Sequence, residues 1–133
     1  MHYLLQKGVF ALANRDVRLS LFEHNDFQGR RIRIIRGGIA VRDAGALRFN
    51  DMLSSFRLRN VEDDDDVTLI LFADTNYRGE HRVFRGNTNV RALNGFNDRM
   101  SSFIVVGRRL SNNDIDRIRS NRRPPNDVVE LRQ

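Results

Sequence analysis

The hexamer Asn50-Asp51-Met52-Leu53-Ser54-Ser55 returns almost unchanged as Asn97-Asp98-Arg99-Met100-Ser101-Ser102. In a chain of 133 residues, a polar motif written twice constrains the fold strongly, because it marks one supersecondary unit used twice. Each copy follows a phenylalanine (Phe49 or Phe96) and precedes an apolar run starting at Phe56 or Phe103, which predicts a loop feeding a strand. The repetition extends upstream. Phe22-Glu23-His24-Asn25-Asp26-Phe27-Gln28-Gly29 matches Phe72-Ala73-Asp74-Thr75-Asn76-Tyr77-Arg78-Gly79, aromatic for aromatic and glycine for glycine. Phe72 lies 50 residues beyond Phe22 and Asn97 lies 47 beyond Asn50, so the two copies differ by a loop-sized length change. The paired repeat predicts two stacked units sharing one core.

Between these motifs the period is two. Val17, Leu19 and Leu21 alternate with Arg18 and Ser20, and Ile32 and Ile34 alternate with Arg31 and Arg33, as half-buried antiparallel strands do. Gly29 follows a corner at which Phe22 and Phe27 are expected to pack together, and Gly37-Gly38 turns the chain. Residues 39–49 are expected to cross to the partner sheet, the third strand of a Greek key, and Phe56-Arg57-Leu58-Arg59 closes the first unit. In the second unit the alternation breaks: Ile70 stands where the first has Ser20, and Phe103-Ile104-Val105-Val106 is apolar on both faces. A strand buried on both sides needs a second layer. The expected cover is the apolar N-terminal arm, the C-terminal segment, or a second copy of the chain forming a homodimer through this sheet face.

Two copies of an aromatic, four residues, an aromatic, any residue and glycine, each followed by an N/D-N/D-x-x-S/T-S loop, resemble the microbial calcium-binding βγ-crystallin family. The resemblance spans residues 17–108. It implies an all-β fold, a single sandwich of two Greek-key motifs, with an N-terminal extension (1–16), the crystallin-like domain (17–109, motifs 17–60 and 67–109) and a C-terminal helix and tail (110–133). It also implies two calcium ions per chain. Calcium takes oxygen ligands, and the hexamers offer the carboxylates of Asp51 and Asp98, the hydroxyls of Ser54 and Ser101, and the carbonyls of Met52 and Arg99. In the family resembled, each ion is clamped crosswise: one loop gives its second side chain and third carbonyl, the other its fifth hydroxyl, and a corner carbonyl, here that of Glu23 or Ala73, completes the protein's share. Asn50, Asn97, Ser55 and Ser102 are expected to brace the loops by hydrogen bonds. Arg99 is the uncomfortable match, since a cation beside such a site weakens it unless the side chain turns away.

Other chemistries find no support in the residues. Cysteine is absent, which removes disulfides, thiol nucleophiles and thiolate metal sites. His2, His24 and His81 fall on different elements without metal spacing, no serine has a plausible histidine base, and the glycines are too dispersed for a phosphate loop, so no enzyme is expected. No apolar run approaches the roughly 18 residues of a membrane span. The net charge is +6, and with Lys7 the single lysine, 22 of the 23 cationic side chains are arginine. Arg18, Arg31, Arg33, Arg57 and Arg59 would share one sheet face in a crystallin topology, where they suit an anionic polymer or partner protein. The rows lack interleaved aromatics, which disfavours single-stranded nucleic acid.

The linker 62–66 is five consecutive acids, expected to be solvated and to offset nearby arginines. Residues 1–14 are mostly apolar. Ala11-Leu12-Ala13 imitates a signal cleavage site, but a charged start is nearly missing and Gln6-Lys7-Gly8 interrupts the run, so a packing arm or added strand is expected and a cytoplasmic setting is favoured over secretion. Leu110, Ile115 and Ile118 have helical spacing with Ser111-Asn112 as the N-cap, and Pro124-Pro125 should stop that helix ahead of a tail, 126–133, whose order the sequence leaves open.

Overall fold

The computed structural model describes residues 14–131. The expectations for the N-terminal arm and its cleavage-like tripeptide fall on residues 1–13, outside the described residues. Among the described residues nine strands form two sheets. The first is ordered β2-β1-β4-β7, from Gln28–Ile34 (β2), Val17–His24 (β1), Ser55–Asn60 (β4) and Thr88–Val90 (β7). The second is ordered β6-β5-β8-β3-β9, from Arg78–Arg85 (β6), Thr68–Asp74 (β5), Ser102–Val106 (β8), Ile39–Val41 (β3) and Val129–Leu131 (β9). Each repeat therefore lends its short third strand to the other's sheet: β3 pairs antiparallel with β8, and β7 with β4. Only residues 39–41 of the expected crossing segment are extended, and a 3-10 turn over Ala44–Leu47 follows.

The sandwich core follows from the period-two pattern. Val17, Leu19 and Leu21 of β1 and Phe56 and Leu58 of β4 face Leu69 and Leu71 of β5 and Phe103 and Val105 of β8, all buried. Phe49, Leu93 and Phe96, which precede the hexamers, and Leu53 within the first of them plug the same core, so the polar loops are pinned by apolar residues. Each fully buried side chain of this size contributes about 1.5–3 kcal/mol relative to exposure.

Every residue of β8 is buried, and so are Thr68 to Phe72 of β5, as their loss of alternation requires. The cover comes from the chain's own C-terminal segment. The helix Asn112–Asn121 (α1) sets Ile115 and Ile118, with Leu110 before it, against Ile70, Phe72, Ile104 and Val106 in a second cluster. The face expected to carry a homodimer contact is thus occupied within one chain. Ser111 caps α1 as a capping box with Asp114, and the helix ends at Arg122 in the left-handed region (φ 54°), so the stop comes before the two prolines. The tail, whose order the sequence left open, supplies β9, which pairs parallel with β3 and seals that edge of the sheet. It is fastened by Arg108 to Asp127, at 2.7 and 3.0 Å, and by Glu130, which accepts from Tyr77 Oη–H at 2.8 Å and pairs with Arg42 at 3.2 Å.

Candidate metal centre

The corners between β1 and β2 and between β5 and β6 are built alike. Asp26 and Phe27 in one, and Asn76 and Tyr77 in the other, all have φ between 58° and 60°. An aromatic residue in that region is strained, and its surroundings must hold it there. Two interactions do so. Phe27 lies edge-on to Phe22 at 5.6 Å between centroids, and Tyr77 edge-on to Phe72 at 5.7 Å. The last serine of each hexamer then ties loop to corner: Ser55 Oγ accepts from Phe27 N–H (3.0 Å) and donates to the His24 carbonyl (2.6 Å), and Ser102 Oγ accepts from Tyr77 N–H (3.1 Å) and donates to the Asp74 carbonyl (2.6 Å). Gly79, at φ 82°, completes the second corner, where a Cβ would stand 2.6 Å from Asp74 Oδ2.

The hexamers lie side by side with their roles exchanged. Asp51 N–H donates to the Met100 carbonyl at 2.8 Å, and Asp98 N–H to the Leu53 carbonyl at 2.9 Å. Both aspartates have φ 57°, a conformation that Asp tolerates better than most residues. Across this double tie, Ser54 Oγ–H donates to Asp98 Oδ1 at 3.1 Å, and Ser101 Oγ–H donates to Asp51 Oδ1 at 3.3 Å. Ser54 N–H donates to the Phe22 carbonyl (3.0 Å) and Ser101 N–H to the Phe72 carbonyl (2.9 Å), which sets Glu23 beside Ser54 and Ala73 beside Ser101. Two clusters result: Asp51 and Met52 with Ser101 and Ala73, and Asp98 and Arg99 with Ser54 and Glu23.

The oxygen separations suit a hard cation. Two ligand oxygens each about 2.4 Å from one calcium ion and 3.1 or 3.3 Å apart subtend about 80–87°, the angle between neighbouring ligands in a six- or seven-coordinate shell. Among the described residues neither Asp51 nor Asp98 forms an ion pair, although arginine is abundant. Asp98 Oδ2 does accept from Asn97 Nδ2 at 3.3 Å. Arg99 turns away from its own loop. Its guanidinium pairs with Glu80 at 2.5 Å, donates to the Gly95 carbonyl at 3.1 Å and stands 5.5 Å over the Phe96 ring. Glu80, held below the ordinary carboxylate range chiefly by its hydrogen bond from Arg82, stays charged to receive it. Sequence reasoning missed this partner, because Glu80 meets Arg99 only once β6 is placed.

The other candidates are also placed. Cross-strand register sets Arg33 and Arg57 on either side of Ser20 and Arg18 opposite Arg59, so the five arginines do share the outer face of the first sheet. The acidic linker 62–66 makes no ion pair among the described residues; Asp64 accepts from Asn87, and the Asp66 carboxyl is pushed up chiefly by burial. His81 is half-buried over Phe72, with its pKa lowered first by burial and then by Arg119 and Arg82. No group of three His, Cys, Asp or Glu side chains converges among the described residues, so any metal here relies on hydroxyl and carbonyl oxygens beside one carboxylate. Among the described residues no helix is long and apolar enough to cross a membrane.

No protein-family model matches the chain, and no curated protein does. Solved structures match. A βγ-crystallin domain bearing on the evolution of the eye-lens domain fold is 24% identical, with 71% of this chain and 87% of that one covered and a TM-score of 0.57. A βγ-crystallin from Ciona intestinalis is 22% identical (65% and 96% covered, TM-score 0.54), and one from an archaeon is 20% identical (71% and 98% covered, TM-score 0.53). With two sheets that exchange their third strands and a paired corner and loop in each half, the chain has the βγ-crystallin domain fold.

Proposed function

We propose that this chain is a calcium-binding structural module that holds two ions crosswise between its hexamer loops. The observation that carries the reading is the reciprocal pairing of Ser54 with Asp98 and Ser101 with Asp51, at 3.1 and 3.3 Å. One ion would take the Asp51 carboxylate, the Met52 and Ala73 carbonyls and the Ser101 hydroxyl. The other would take the Asp98 carboxylate, the Arg99 and Glu23 carbonyls and the Ser54 hydroxyl, with water completing each shell. The ion supplies positive charge and nothing redox. The residues supply the rest. The Glu23 and Ala73 carbonyls lie one residue before the His24 and Asp74 carbonyls that Ser55 and Ser102 fix by hydrogen bonds.

Each cluster draws on both repeats, so an ion bound there cross-links the halves of the domain and is lost on unfolding. Two ions at 100 times their dissociation constants would each add about 2.7 kcal/mol, a large share of a small domain's stability. Calorimetric titration of chelator-treated protein with Ca²⁺ should give two ions per chain and raise the thermal midpoint. An unchanged midpoint at millimolar Ca²⁺, with no binding heat, would remove the proposal.

A further inference from the structure

The two sheets use their outer faces in opposite ways. On the second, Ile70 stands between Val83 and Ile104 beneath α1. On the first, the equivalent position is Ser20, between Arg33 and Arg57, and no described segment covers it. Arg31 and Arg33 form one outward row on β2, and Arg57 and Arg59 another on β4, with Arg18 of β1 between them. By ordinary sheet spacing the rows are about 9.6 Å apart and the arginines within a row about 6.8 Å. All five are exposed, and none is ion-paired among the described residues. Five unneutralised guanidinium groups held this close repel one another, and an oxyanion partner relieves that repulsion.

We propose that this face binds a linear sulfated glycan, which crosses both rows so that successive sulfates meet the guanidinium forks. Sulfate presents the same tetrahedral array of oxygens to which arginine forks bind in phosphate. Three features favour this occupant over other polyanions. The rings at this face, Phe27 and Phe22, are already engaged, Phe27 with Arg57 4.1 Å above it and Phe22 edge-on to it at 5.6 Å, so bases have no stacking platform. Four strands side by side, about 14 Å between the outer two, are wider than the roughly 12 Å major groove, and a stiff duplex would touch the face along one narrow band and reach one row. The acidic run 62–66 continues directly from the outward row of β4, where an anionic membrane laid over the whole face would meet it. A flexible chain can run from Arg31 past Arg33 to Arg57 and avoid those carboxylates.

The test is titration of the full chain with heparin oligosaccharide, in chelator and again in Ca²⁺, so that it stands apart from the calcium reading. The triple variant Arg31→Ser/Arg33→Ser/Arg57→Ser is compared with Arg117→Ser/Arg119→Ser/Arg123→Ser, which removes equal charge from the helical layer. For contacts released as on single strands, the salt exponent should be about −2.1 with the three contacts on that path and near zero without them, so raising salt fourfold should weaken the parent about 18-fold and leave the first triple nearly unchanged. The second triple should keep the parent exponent. Equal losses in both triples would mean simple net-charge attraction and overturn the proposal. So would a short DNA duplex, or vesicles containing phosphatidylserine, binding through the same three arginines more tightly than heparin. Should the first triple fail to fold by circular dichroism, the single variant Arg33→Glu, at an exposed position, gives the same reading: retained heparin affinity would overturn the proposal.

Discussion

Ser55 and Ser102 occupy the same place in the two repeats, and the structure assigns them different costs of removal. In Ser102→Ala the Oγ that bridges Tyr77 N–H and the Asp74 carbonyl disappears. Tyr77 is 1% exposed and Ser102 0%, so water has no route to the freed N–H. Two hydrogen bonds at about 1 kcal/mol each, and a buried donor left unsatisfied at about 1–3 kcal/mol, set the loss at about 3–5 kcal/mol. The freed corner also keeps an aromatic residue at φ 58° with one restraint fewer. Ser55→Ala removes the same pair of bonds, but Phe27 is half-buried and His24 exposed, so water can replace the hydroxyl and the loss should be about 1–1.5 kcal/mol. Urea unfolding in chelator measures both, and an unchanged m-value would show that the denatured states match. Equal losses, or a larger one for Ser55→Ala, would refute the claim that burial sets the difference.

Two further outcomes follow from the C-terminal layer. Ile115→Ala and Ile118→Ala, each at a site 4% exposed, should each cost about 2–4 kcal/mol by urea unfolding, and losses under 1 kcal/mol would mean that α1 does not seal the second core. Ser111→Ala should cost about 1 kcal/mol at neutral pH. The Asp114 carboxyl is held below its ordinary 3.8, chiefly by the Ser111 N–H, so its contribution is in place above that value and lost as pH falls through the lowered one. Alanine at position 111 keeps that N–H, so the parent and Ser111→Ala should both lose this contribution below pH 3.8 in a pH series of thermal melts.

The parts legible in the sequence are those whose cause is local. Alternation in Val17 to Leu21 reports one buried face, and its breakdown at Ile70 reports two, so a third layer could be expected before its source was known. The repeat located both loops for the same reason: a polar hexamer flanked by core phenylalanines can only lie at the sandwich rim. The parts that were not legible depend on pairing across long separations. Val129 to Leu131 follows two prolines and looks like a frayed end, and its strand character comes from β3, some 90 residues earlier, whose free edge it satisfies. Arg99 looked hostile to a metal until Glu80 was placed opposite it.

The same separation decides what the hexamers are for. Their left-handed aspartates and bridging serines would be needed to turn and brace the loops with no ion present, so backbone geometry alone does not distinguish a calcium clamp from a structural knot. The distinguishing feature is charge. A knot gains nothing from keeping two carboxylates un-ion-paired in a chain of net charge +6, each facing only neutral hydroxyl or amide groups, when either could have been asparagine at the same φ. Aspartate in both loops is what the proposed calcium clamp needs. The comparison that separates the two roles is Asp51→Asn with Asp98→Asn in one chain. A structural knot keeps its stability and is indifferent to Ca²⁺ before and after the change. A clamp stays folded in chelator and loses the Ca²⁺-dependent rise in midpoint.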